Sequence, residues 1–460
     1  MTVSDIFPYM VPGKRAHLVG IGGVSMSSLA EVLKGMGILV AGSDMNESRN
    51  VQNLRDKGIP VAIGHRAENV TEDVEFLVRT AAVHDENPEI VRARELGIPV
   101  FERTQAWGAI SRDYSNALCI SGTHGKTTTT SMCTHILMAA DRDPTVMIGG
   151  TLPLLNAGHR VGHGNTIVME ACEYYDSFLA FYPTVAVILN VEADHLDYFK
   201  NLERVKQSFR AFAEKVPEDG TVVANLDDPN TMDALKDIGR RVMTFGMSPR
   251  ADVYARNVKF IGDNTSFDIM YRGRKFTDVL LHVPGMHNVK NALAATAAAI
   301  CLGIRPNAVK YGLAGFNGAG RRFEFKGKYN GADVYDDYAH HPSELRALLD
   351  TVETLNYKRS VLVFQPHTYS RTRSLFEDFV AQLKRPDVLF LAEIYAAREK
   401  NIYGISSADL AARVENARFF PGFPELEEAL RQTAQPGDII LTVGAGDVYR
   451  IGEDLVKSEA

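Results

Sequence analysis

The chain has 460 residues, 45% apolar and 23% charged, which is typical of a globular protein with about three domains. Its net charge of −7 argues against a nucleic-acid-binding surface, and its four cysteines form no C-x-x-C pair, which disfavours zinc sites and disulfide frameworks. No apolar run reaches the roughly 18 residues of a membrane span and the amino terminus lacks a signal-peptide core, so we expect a cytoplasmic protein with no membrane partner.

Three successive segments alternate strands with amphipathic helices, the pattern of parallel α/β sheets. The first contains AHLVG, SMSSLAEVLKGMG and ILVAGSD, the second opens at ALCISG, and the third contains SVLVFQP, DVLFLAEIY and DIILTVGAG. We therefore predict an α/β protein of three domains, with boundaries at 1–112, 113–320 and 321–460.

The second segment holds further predicted elements. The apolar runs TIVMEA, TVAVILNV, TVVANLDDP and VMTFG indicate strands. Residues 251–282 alternate polar and apolar side chains, which favours antiparallel strands. The small-residue run ALAATAAAICLG predicts a helix packed closely on a sheet.

The motif SGTHGKTTTT, at Ser121–Thr130, lies between a predicted strand and a predicted helix. In such a loop, consecutive N–H groups and a helix amino terminus bind phosphate, the lysine reaches the outer phosphates and the following hydroxyl ligates magnesium. Ile120 stands where the standard P-loop pattern has glycine. The predicted ATP contacts here are Gly122, Thr123, His124, Gly125, Lys126, Thr127 and Thr128.

Two predicted strands of the same segment end in residues that can ligate a metal. TIVMEACE places Glu170 at its end, and TVAVILNVEADHLDYF places Asp194 and His195. Alone, such a carboxylate is more often a cap or a solvated group. Beside a phosphate loop, and at the carboxyl edge of a parallel sheet where ligands gather, these residues indicate a Mg²⁺ site.

The blocks [ST]-G-T-x-G-K-T, E-A-x-E and A-D-H-[LM]-D resemble those of the Mur ligase family. The resemblance implies a Rossmann-like N-terminal domain, a P-loop central ATPase domain and a Rossmann-like C-terminal domain. It also implies that Thr127 and Glu170 hold the Mg²⁺ of the nucleotide, and that His195 holds a second ion near a sugar carboxylate.

Further blocks imply contacts to the rest of ATP. PGMHNVKNALAATAA resembles the family's adenine block, which assigns Asn288 and Asn291 to the adenine, although both could instead cap a helix. In GAGRRFEF, Arg322 matches an arginine that closes over the phosphates. In DDYAHHP, Asp337 matches an aspartate at the ribose, although this block could also be a polar turn before a helix starting at Pro342. ATP would then lie between two domains that close over it.

The amino-terminal turn GIGGVS imitates the dinucleotide fingerprint G-x-G-x-x-G, with serine in place of the third glycine. Considered alone, this turn would indicate an NAD-binding site. HLVGIGGVSMS together with AGSD resembles instead the UDP-binding domain of alanine-adding Mur ligases. The predicted UDP-sugar contacts are Gly20, Gly22, Gly23, Ser25 and Asp44.

FQPHTYSRTRSLFEDF also resembles the alanine-adding members of the family. The match assigns Arg371 to the amino acid carboxylate, which a guanidinium fork pairs bidentately, with Tyr338 and His340 beside it. RTR could otherwise be a solvated helix start. His367 and Arg373 are left open.

The resemblance therefore implies an ATP-dependent ligase that adds L-alanine to UDP-N-acetylmuramate through an acyl phosphate in peptidoglycan precursor synthesis. Its implied catalytic residues are Lys126, Glu170, His195 and Arg322. Three alternatives are weaker: a tripeptide-recycling ligase, a nicotinamide-dependent oxidoreductase, which leaves the phosphate loop unexplained, and a nonenzymatic nucleotide switch. The sequence sets no oligomeric state.

Overall fold

The computed structural model describes residues 3–80, 82–397 and 399–459. Three β-sheets of five, ten and six strands follow one another along the chain, each with helices between its strands, which confirms the α/β prediction. Contacts divide the chain into two compact units. The first comprises Met1–Ala255, Ile269–Thr277 and Asn291–Leu313, and the second comprises Arg256–Asp268, Asp278–Lys290 and Ala314–Ala460.

The first sheet is parallel and has the strand order β3-β2-β1-β4-β5. Its strands are β1 Arg15–Val19, β2 Leu39–Asp44, β3 Val61–Ile63, β4 Phe76–Arg79 and β5 Val100–Glu102. The helices are α1 Val24–Gly35, α2 Arg49–Asp56, α3 Pro88–Glu95 and α4 Arg103–Arg112. The strand order reverses at β1, and ligands of such sheets bind at the carboxyl end of that strand.

The second sheet has the order β15-β14-β13-β12-β11-β10-β6-β9-β7-β8. Its strands are β6 Asn116–Ser121, β7 Thr145–Leu152, β8 Ala157–Arg160, β9 Thr166–Glu170, β10 Val185–Ile188, β11 Thr221–Asn225, β12 Val242–Gly246, β13 Val253–Ile261, β14 Asn264–Tyr271 and β15 Arg274–Leu281. The helices are α5 Lys126–Ala139, α6 Leu196–Phe199, α7 Leu202–Glu214, α8 Pro229–Ala234, α9 Met286–Cys301 and α10 Pro306–Ala314.

The third sheet has the order β16-β17-β21-β18-β19-β20, and only β16 runs antiparallel to its neighbour among the described pairs. Its strands are β16 Glu324–Tyr329, β17 Ala332–Asp337, β18 Arg359–Phe364, β19 Val388–Ala392, β20 Ala417–Phe420 and β21 Asp438–Val443. The helices are α11 Pro342–Glu353, α12 Tyr369–Ser374, α13 Phe376–Leu383, α14 Ser407–Ala411, α15 Phe423–Thr433 and α16 Tyr449–Lys457. Short 3₁₀ helices cover Val3–Tyr9, Ala67–Asn69, Pro153–Leu155 and Tyr174–Ala180.

The strands that position the site are adjacent in the second sheet. β6 pairs with β10 on one side and with β9 on the other, all in parallel. Their apolar runs are continuous because both faces of the sheet are covered, and all four residues of β10 are buried. The loops that follow these three strands therefore emerge side by side at one edge of the sheet.

The structure bears on two features considered in the sequence, the cysteines and the possibility of a membrane span. The four cysteines are free thiols: Cys119 and Cys133 are buried and Cys301 is partly buried, but Cys172 is exposed. In the described part of the chain, no helix has the length and apolarity needed to cross a membrane.

Candidate functional site

The phosphate loop joins β6 to α5 and depends on two glycines. Gly122 has φ +143° and Gly125, at the helix start, has φ +85°. A Cβ on Gly125 would lie 2.7 Å from Oδ1 of Asn291, so a side chain there would push the loop off α9. Ile120, the departure from the standard pattern, is a fully buried residue of β6 and lies before the loop.

Asn190, which follows β10, holds the middle of this loop. Its Oδ1 accepts a hydrogen bond from the backbone N–H of His124 at 2.8 Å, and its Nδ2 donates to the His124 carbonyl at 3.1 Å. The N–H of Thr123 donates to the Asn190 carbonyl at 3.1 Å, and the Thr123 hydroxyl oxygen accepts from the N–H of Glu192 at 2.9 Å. Asn190 is not among the residues predicted from the sequence, although it stands at the end of the apolar run TVAVILN.

Lys126 is held by the loop and by one carboxylate. Its Nζ donates to the carbonyls of Gly122 at 2.6 Å and Thr123 at 3.1 Å, and to Oε2 of Glu173 at 3.0 Å. Burial lowers the pKa of Lys126, but the charge and hydrogen bond of Glu173 outweigh burial, so the pKa is raised. Glu173, only 2% exposed, was missed by the sequence analysis, although the E-A-x-E block contains it.

Thr127 and Glu170 meet at the edge of the sheet, as the magnesium prediction requires. The Thr127 hydroxyl donates to Oε2 of Glu170 at 2.9 Å, and the N–H of Gly149 donates to the same oxygen at 2.8 Å. Neighbouring ligands of an octahedral Mg²⁺ ion with bonds of about 2.1 Å are about 3 Å apart. The two oxygens therefore fit adjacent positions around one such ion. Thr128, the next residue of α5, is buried.

His195 caps the amino terminus of α6, where it has φ +53°. Its ring stacks on Tyr174 with centroids 4.2 Å apart and an interplanar angle of 21°. Its Nε2 is 3.7 Å from Oδ2 of Asp194 and 4.0 Å from Oε1 of Glu173. Glu173 therefore stands between Lys126 and His195.

The predicted UDP-sugar turn follows β1, where the first sheet reverses its strand order. Gly20 has φ +79°, Gly23 caps the amino terminus of α1, and Ser25 lies half-buried in the first helical turn. The N–H of Gly22 donates to Oδ2 of Asp44 at 2.8 Å, and a Cβ on Gly22 would lie 2.9 Å from that oxygen. Asp44 therefore fixes the shape of the turn itself.

The two asparagines of the adenine block occupy the first turns of α9, which begins at Met286 rather than at the predicted alanine run. Nδ2 of Asn288 donates to the Pro284 carbonyl at 2.7 Å. A side chain that caps the start of a helix accepts from a backbone N–H, whereas Asn288 donates. The interpretation of Asn288 as a helix cap is therefore wrong. Asn291 is 9% exposed and lies against Gly125 of the phosphate loop.

In the second unit, the adjacent arginines Arg321 and Arg322 have different roles. Nε of Arg321 donates to Oδ2 of the buried Asp336 at 2.9 Å. Its Nη2 and Nη1 donate to the carbonyls of Gly444 and Gly446 at 2.6 and 3.1 Å. Arg321 therefore ties the glycine turn after β21 to β17, which is a structural role.

Arg322 also lies over the ring of Tyr338, as Arg321 does, but its other neighbours differ. Its guanidinium lies 5.2 Å from the ring centroid of Tyr338, and its Nη1 is 3.9 Å from Oε1 of Glu344. Burial, together with the charge of Arg322, lowers the pKa of the nearby His287 to about 4. His287 is therefore neutral at pH 7, which leaves Arg322 as a cation beside a neutral imidazole.

Asp337 ends β17 and organises the turn after it. One carboxylate oxygen accepts from the N–H of Phe323 at 2.7 Å and the other from the N–H of Ala339 at 2.8 Å. Burial raises the pKa of Asp337 to about 6, although Arg322 and these two hydrogen bonds lower it. As the alternative interpretation of DDYAHHP predicts, the next helix, α11, begins at Pro342.

The raised pKa of Asp337 predicts a specific pH dependence of stability. The folded chain binds this proton more tightly than the unfolded chain, so Asp337 destabilises the folded state as pH rises from about 4 to about 6. Relative to Asp337→Asn, the free energy of unfolding of the wild type should fall by up to about 3 kcal/mol over this window. Urea unfolding of both proteins at several pH values measures this difference. A difference independent of pH would contradict the assignment.

The three predicted amino-acid contacts form one cluster, which also includes His367 and Tyr395. Nδ1 of His340 lies 2.9 Å from the Tyr338 carbonyl, and its ring centroid is 5.7 Å from that of His367. His367 contacts Arg371 through Nδ1 and Nη1 at 3.1 Å and stacks on Tyr395 at 5.7 Å. The structure therefore adds His367, which the sequence left open, to the predicted set.

The backbone beside this cluster is strained. Thr368, a β-branched residue, has φ +67°, and such strain concentrates at functional sites. The N–H and hydroxyl of the nearby Ser370 both donate to Glu399, at 2.9 and 2.5 Å. Arg373, the other residue left open, packs on Tyr403 with 5.5 Å between the guanidinium carbon and the ring centroid.

Three family models match the chain in succession. Residues 15–115 match the Mur ligase family catalytic domain, residues 120–299 the Mur ligase middle domain, and residues 321–446 the Mur ligase glutamate ligase domain. Together, these matches account for most of the chain.

Individual relatives are similar over nearly the full length. A UDP-N-acetylmuramate–L-alanine ligase of Clostridium novyi is 44% identical over 97% of this chain and 98% of its own. The crystal structure of the UDP-N-acetylmuramate–alanine ligase from Thermotoga maritima superposes with a TM-score of 0.81 at 30% identity, covering 97% and 99% of the two chains. A murein peptide ligase from Psychrobacter arcticus shares the fold, with a TM-score of 0.72 at 22% identity and coverage of 97% and 98%.

Proposed function

The chain belongs to the Mur ligase family, and from that premise we propose that it is an ATP-dependent ligase that joins L-alanine to the carboxylate of UDP-N-acetylmuramate. The products are UDP-N-acetylmuramoyl-L-alanine, ADP and phosphate, as peptidoglycan precursor synthesis requires. The observation that carries the proposal is the convergence of Lys126, Thr127 and Glu170 at the ends of adjacent strands, in a chain 44% identical to a ligase of that name.

The phosphate loop and α5 bind the triphosphate of ATP. Backbone N–H groups of the loop and the positive end of the helix point at the anion. Lys126 is already a cation held at the mouth of this loop, because Glu173 raises its pKa. It can therefore exchange its contact with Glu173 for the γ-phosphoryl oxygens without a change of protonation.

Two sets of side chains are suited to Mg²⁺. Thr127 and Glu170 would supply adjacent oxygens to the ion of the nucleotide, and His195 would supply a nitrogen to a second ion. Bound there, magnesium would neutralise charge on the reacting phosphoryl group.

The reaction proceeds by two transfers. The carboxylate oxygen of UDP-N-acetylmuramate attacks the γ-phosphorus of ATP, which forms an acyl phosphate and releases ADP. The amine of alanine then attacks the acyl carbon, and the tetrahedral intermediate expels phosphate. Lys126, and Arg322 by its match to the family arginine, stabilise the charge that develops on the transferred group. Positioning and electrostatics supply the rest of the catalysis.

Other residues bind the UDP-sugar and the adenosine of ATP. The turn formed by Gly20, Gly22, Gly23 and Ser25, shaped by Asp44, binds the diphosphate of the UDP-sugar. Asn288, Asn291 and Asp337 serve the adenosine. Because both nucleotides are cytoplasmic metabolites, we place the enzyme in the cytoplasm, and its net charge of −7 fits the absence of a nucleic-acid partner.

Arg371 binds the carboxylate of alanine, with His367 orienting its guanidinium at 3.1 Å. We expect Arg371→Ala to raise the KM for alanine by about 10- to 100-fold, the worth of a charge-assisted pair, and to leave the KM for ATP nearly unchanged. Steady-state kinetics measure both constants. Arg373→Ala, which removes a neighbouring guanidinium that packs on Tyr403, is the matched control. An equal rise in both constants would rule out a carboxylate contact.

The assignment is tested by ADP release from ATP and Mg²⁺ in the presence of UDP-N-acetylmuramate, with product masses determined. Alanine, other amino acids and the cell-wall tripeptide are supplied separately. Alanine-dependent turnover that yields one new amide supports the proposal. Turnover with the tripeptide alone would identify a recycling ligase, and the absence of turnover with every acceptor would refute ligation.

A further inference from the structure

His340 and His367 lie side by side at the carboxyl edge of the third sheet, with 5.7 Å between their ring centroids. They follow β17 and β18, which both pair in parallel with β21. The proposed reaction needs a base here, because the ammonium group of alanine must lose a proton before its nitrogen can attack the acyl phosphate. The contacts of the two rings show which of them is suited to receive that proton.

The contacts of His340 fix which of its ring nitrogens is basic. Its Nδ1 lies 2.9 Å from the carbonyl oxygen of Tyr338. A carbonyl oxygen can only accept a hydrogen bond, so Nδ1 carries the hydrogen and the lone pair of the neutral ring is on Nε2. Histidines that act as general bases are oriented in this way, through a hydrogen bond donated by the nitrogen that is not the base.

A carboxylate beside His340 favours the protonated form of its ring. Oε2 of Glu344 is 3.4 Å from Nδ1 of His340. The N–H groups of His340 and His341 donate to this oxygen at 2.9 and 3.2 Å and hold it in place. Arg322 reduces the attraction only in part, because its Nη1 is 3.9 Å from the other oxygen, Oε1. An imidazolium at His340 is therefore stabilised by Glu344, as a residue that receives a proton requires.

His367 has the opposite electrostatic surroundings. Its Nδ1 is 3.1 Å from Nη1 of Arg371, and a guanidinium can only donate, so this nitrogen accepts and the ring hydrogen is on Nε2. A proton on Nδ1 would face the positive charge of Arg371 directly, which keeps His367 neutral. The ring of His367 also stacks on Tyr395. Neighbouring titratable groups in such different surroundings take different roles in proton transfer, and His340 is the one suited to be the base.

We propose that His340 is the general base for the amino acid, an inference that rests on the proposed function. With its carboxylate on Arg371, alanine has its ammonium group close by, because both groups are attached to one carbon. Nε2 of His340 takes a proton from this nitrogen, and the freed electron pair attacks the acyl carbon. As the bond between the acyl carbon and the phosphate oxygen breaks, a second proton leaves the nitrogen with the phosphate. His340 then releases its proton to solvent.

The test replaces each histidine of the full-length protein by asparagine. His340→Asn keeps a donor for the Tyr338 carbonyl and removes the base, whereas His367→Asn keeps an acceptor for Arg371. Single-turnover ligation of alanine is measured from about pH 6 to about pH 9. In parallel, hydroxylamine replaces alanine and traps the acyl phosphate as a hydroxamate. Hydroxylamine needs no base, because its nitrogen is largely unprotonated at neutral pH.

We expect His340→Asn to slow alanine ligation by about 10²- to 10⁴-fold at neutral pH, the usual contribution of a general base. Hydroxylamine should bypass this defect. The rate of the variant should rise roughly tenfold for each pH unit, as the free amine of alanine becomes more abundant. His367→Asn should instead raise the KM for alanine and keep the pH dependence of the wild type.

Other outcomes would overturn the proposal. Ligation by His340→Asn at the wild-type rate would exclude a base at this position, and a loss as large with hydroxylamine as with alanine would place the defect in acyl phosphate formation. The steep pH dependence in His367→Asn instead would move the base to His367. If the wild type formed neither amide nor hydroxamate, the proposed function would fail first. Urea unfolding shows whether each variant is folded, and His340→Gln provides a second variant without the base.

Discussion

Lys126→Ala should lower the rate of ligation by at least about 10³-fold while the Kd for UDP-N-acetylmuramate stays close to that of the wild type. The lysine supplies the cation at the mouth of the phosphate loop, through contacts with Gly122, Thr123 and Glu173. The UDP-sugar turn lies on another sheet. Single-turnover kinetics and calorimetry measure the two quantities. Joint loss of catalysis and UDP-sugar binding would contradict the separation of the two sites.

The controls for this variant follow from the burial of Glu173. Removing Lys126 leaves a carboxylate that is 2% exposed without its cation, which destabilises the fold by about 3–5 kcal/mol. The double variant Lys126→Ala, Glu173→Gln removes that charge and should recover most of the stability but none of the activity. Lys236→Ala, at an exposed lysine of the same unit, should change neither.

Glu170→Gln should lower the rate by on the order of 10²-fold and weaken the Mg²⁺ dependence of ADP binding, because an amide oxygen is a poorer ligand than a carboxylate. The replacement keeps an oxygen that can accept from Thr127 and Gly149, so the fold should be retained. Titration of ADP with and without Mg²⁺ measures the effect. Glu203→Gln, at an exposed carboxylate of α7, is the matched control. A wild-type response to Mg²⁺ in Glu170→Gln would exclude this carboxylate as a ligand.

The phosphate loop could be predicted from the sequence because its chemistry is local. Glycines that avoid a Cβ, a lysine and a hydroxyl residue must be consecutive between a strand and a helix, and they are. Glu170 and His195 could be predicted with it, since both follow apolar runs of the same sheet. Their closeness to Lys126 depends on β6 lying between β10 and β9. The order of strands in a sheet cannot be deduced from any one segment of the sequence.

The site residues that could not be predicted from the sequence make their contacts with residues far away along the chain. Glu173 is defined by its contact with Lys126, 47 positions away, and Asn190 by its contacts with His124, 66 positions away. The sequence likewise does not distinguish Arg321 from Arg322, because the partners of Arg321 include Gly444 and Gly446 near the other end of the chain. Contacts of this kind follow from topology rather than from local pattern.

The acyl phosphate is tested most directly with oxygen-18 in the carboxylate of UDP-N-acetylmuramate. Alanine-dependent turnover with this substrate is followed by mass spectrometry of the released phosphate. If the carboxylate attacks the γ-phosphorus, one labelled oxygen must leave with the phosphate when alanine displaces it. Phosphate without label, released in step with amide formation, would contradict the transfer for which Lys126, Thr127 and Glu170 are arranged.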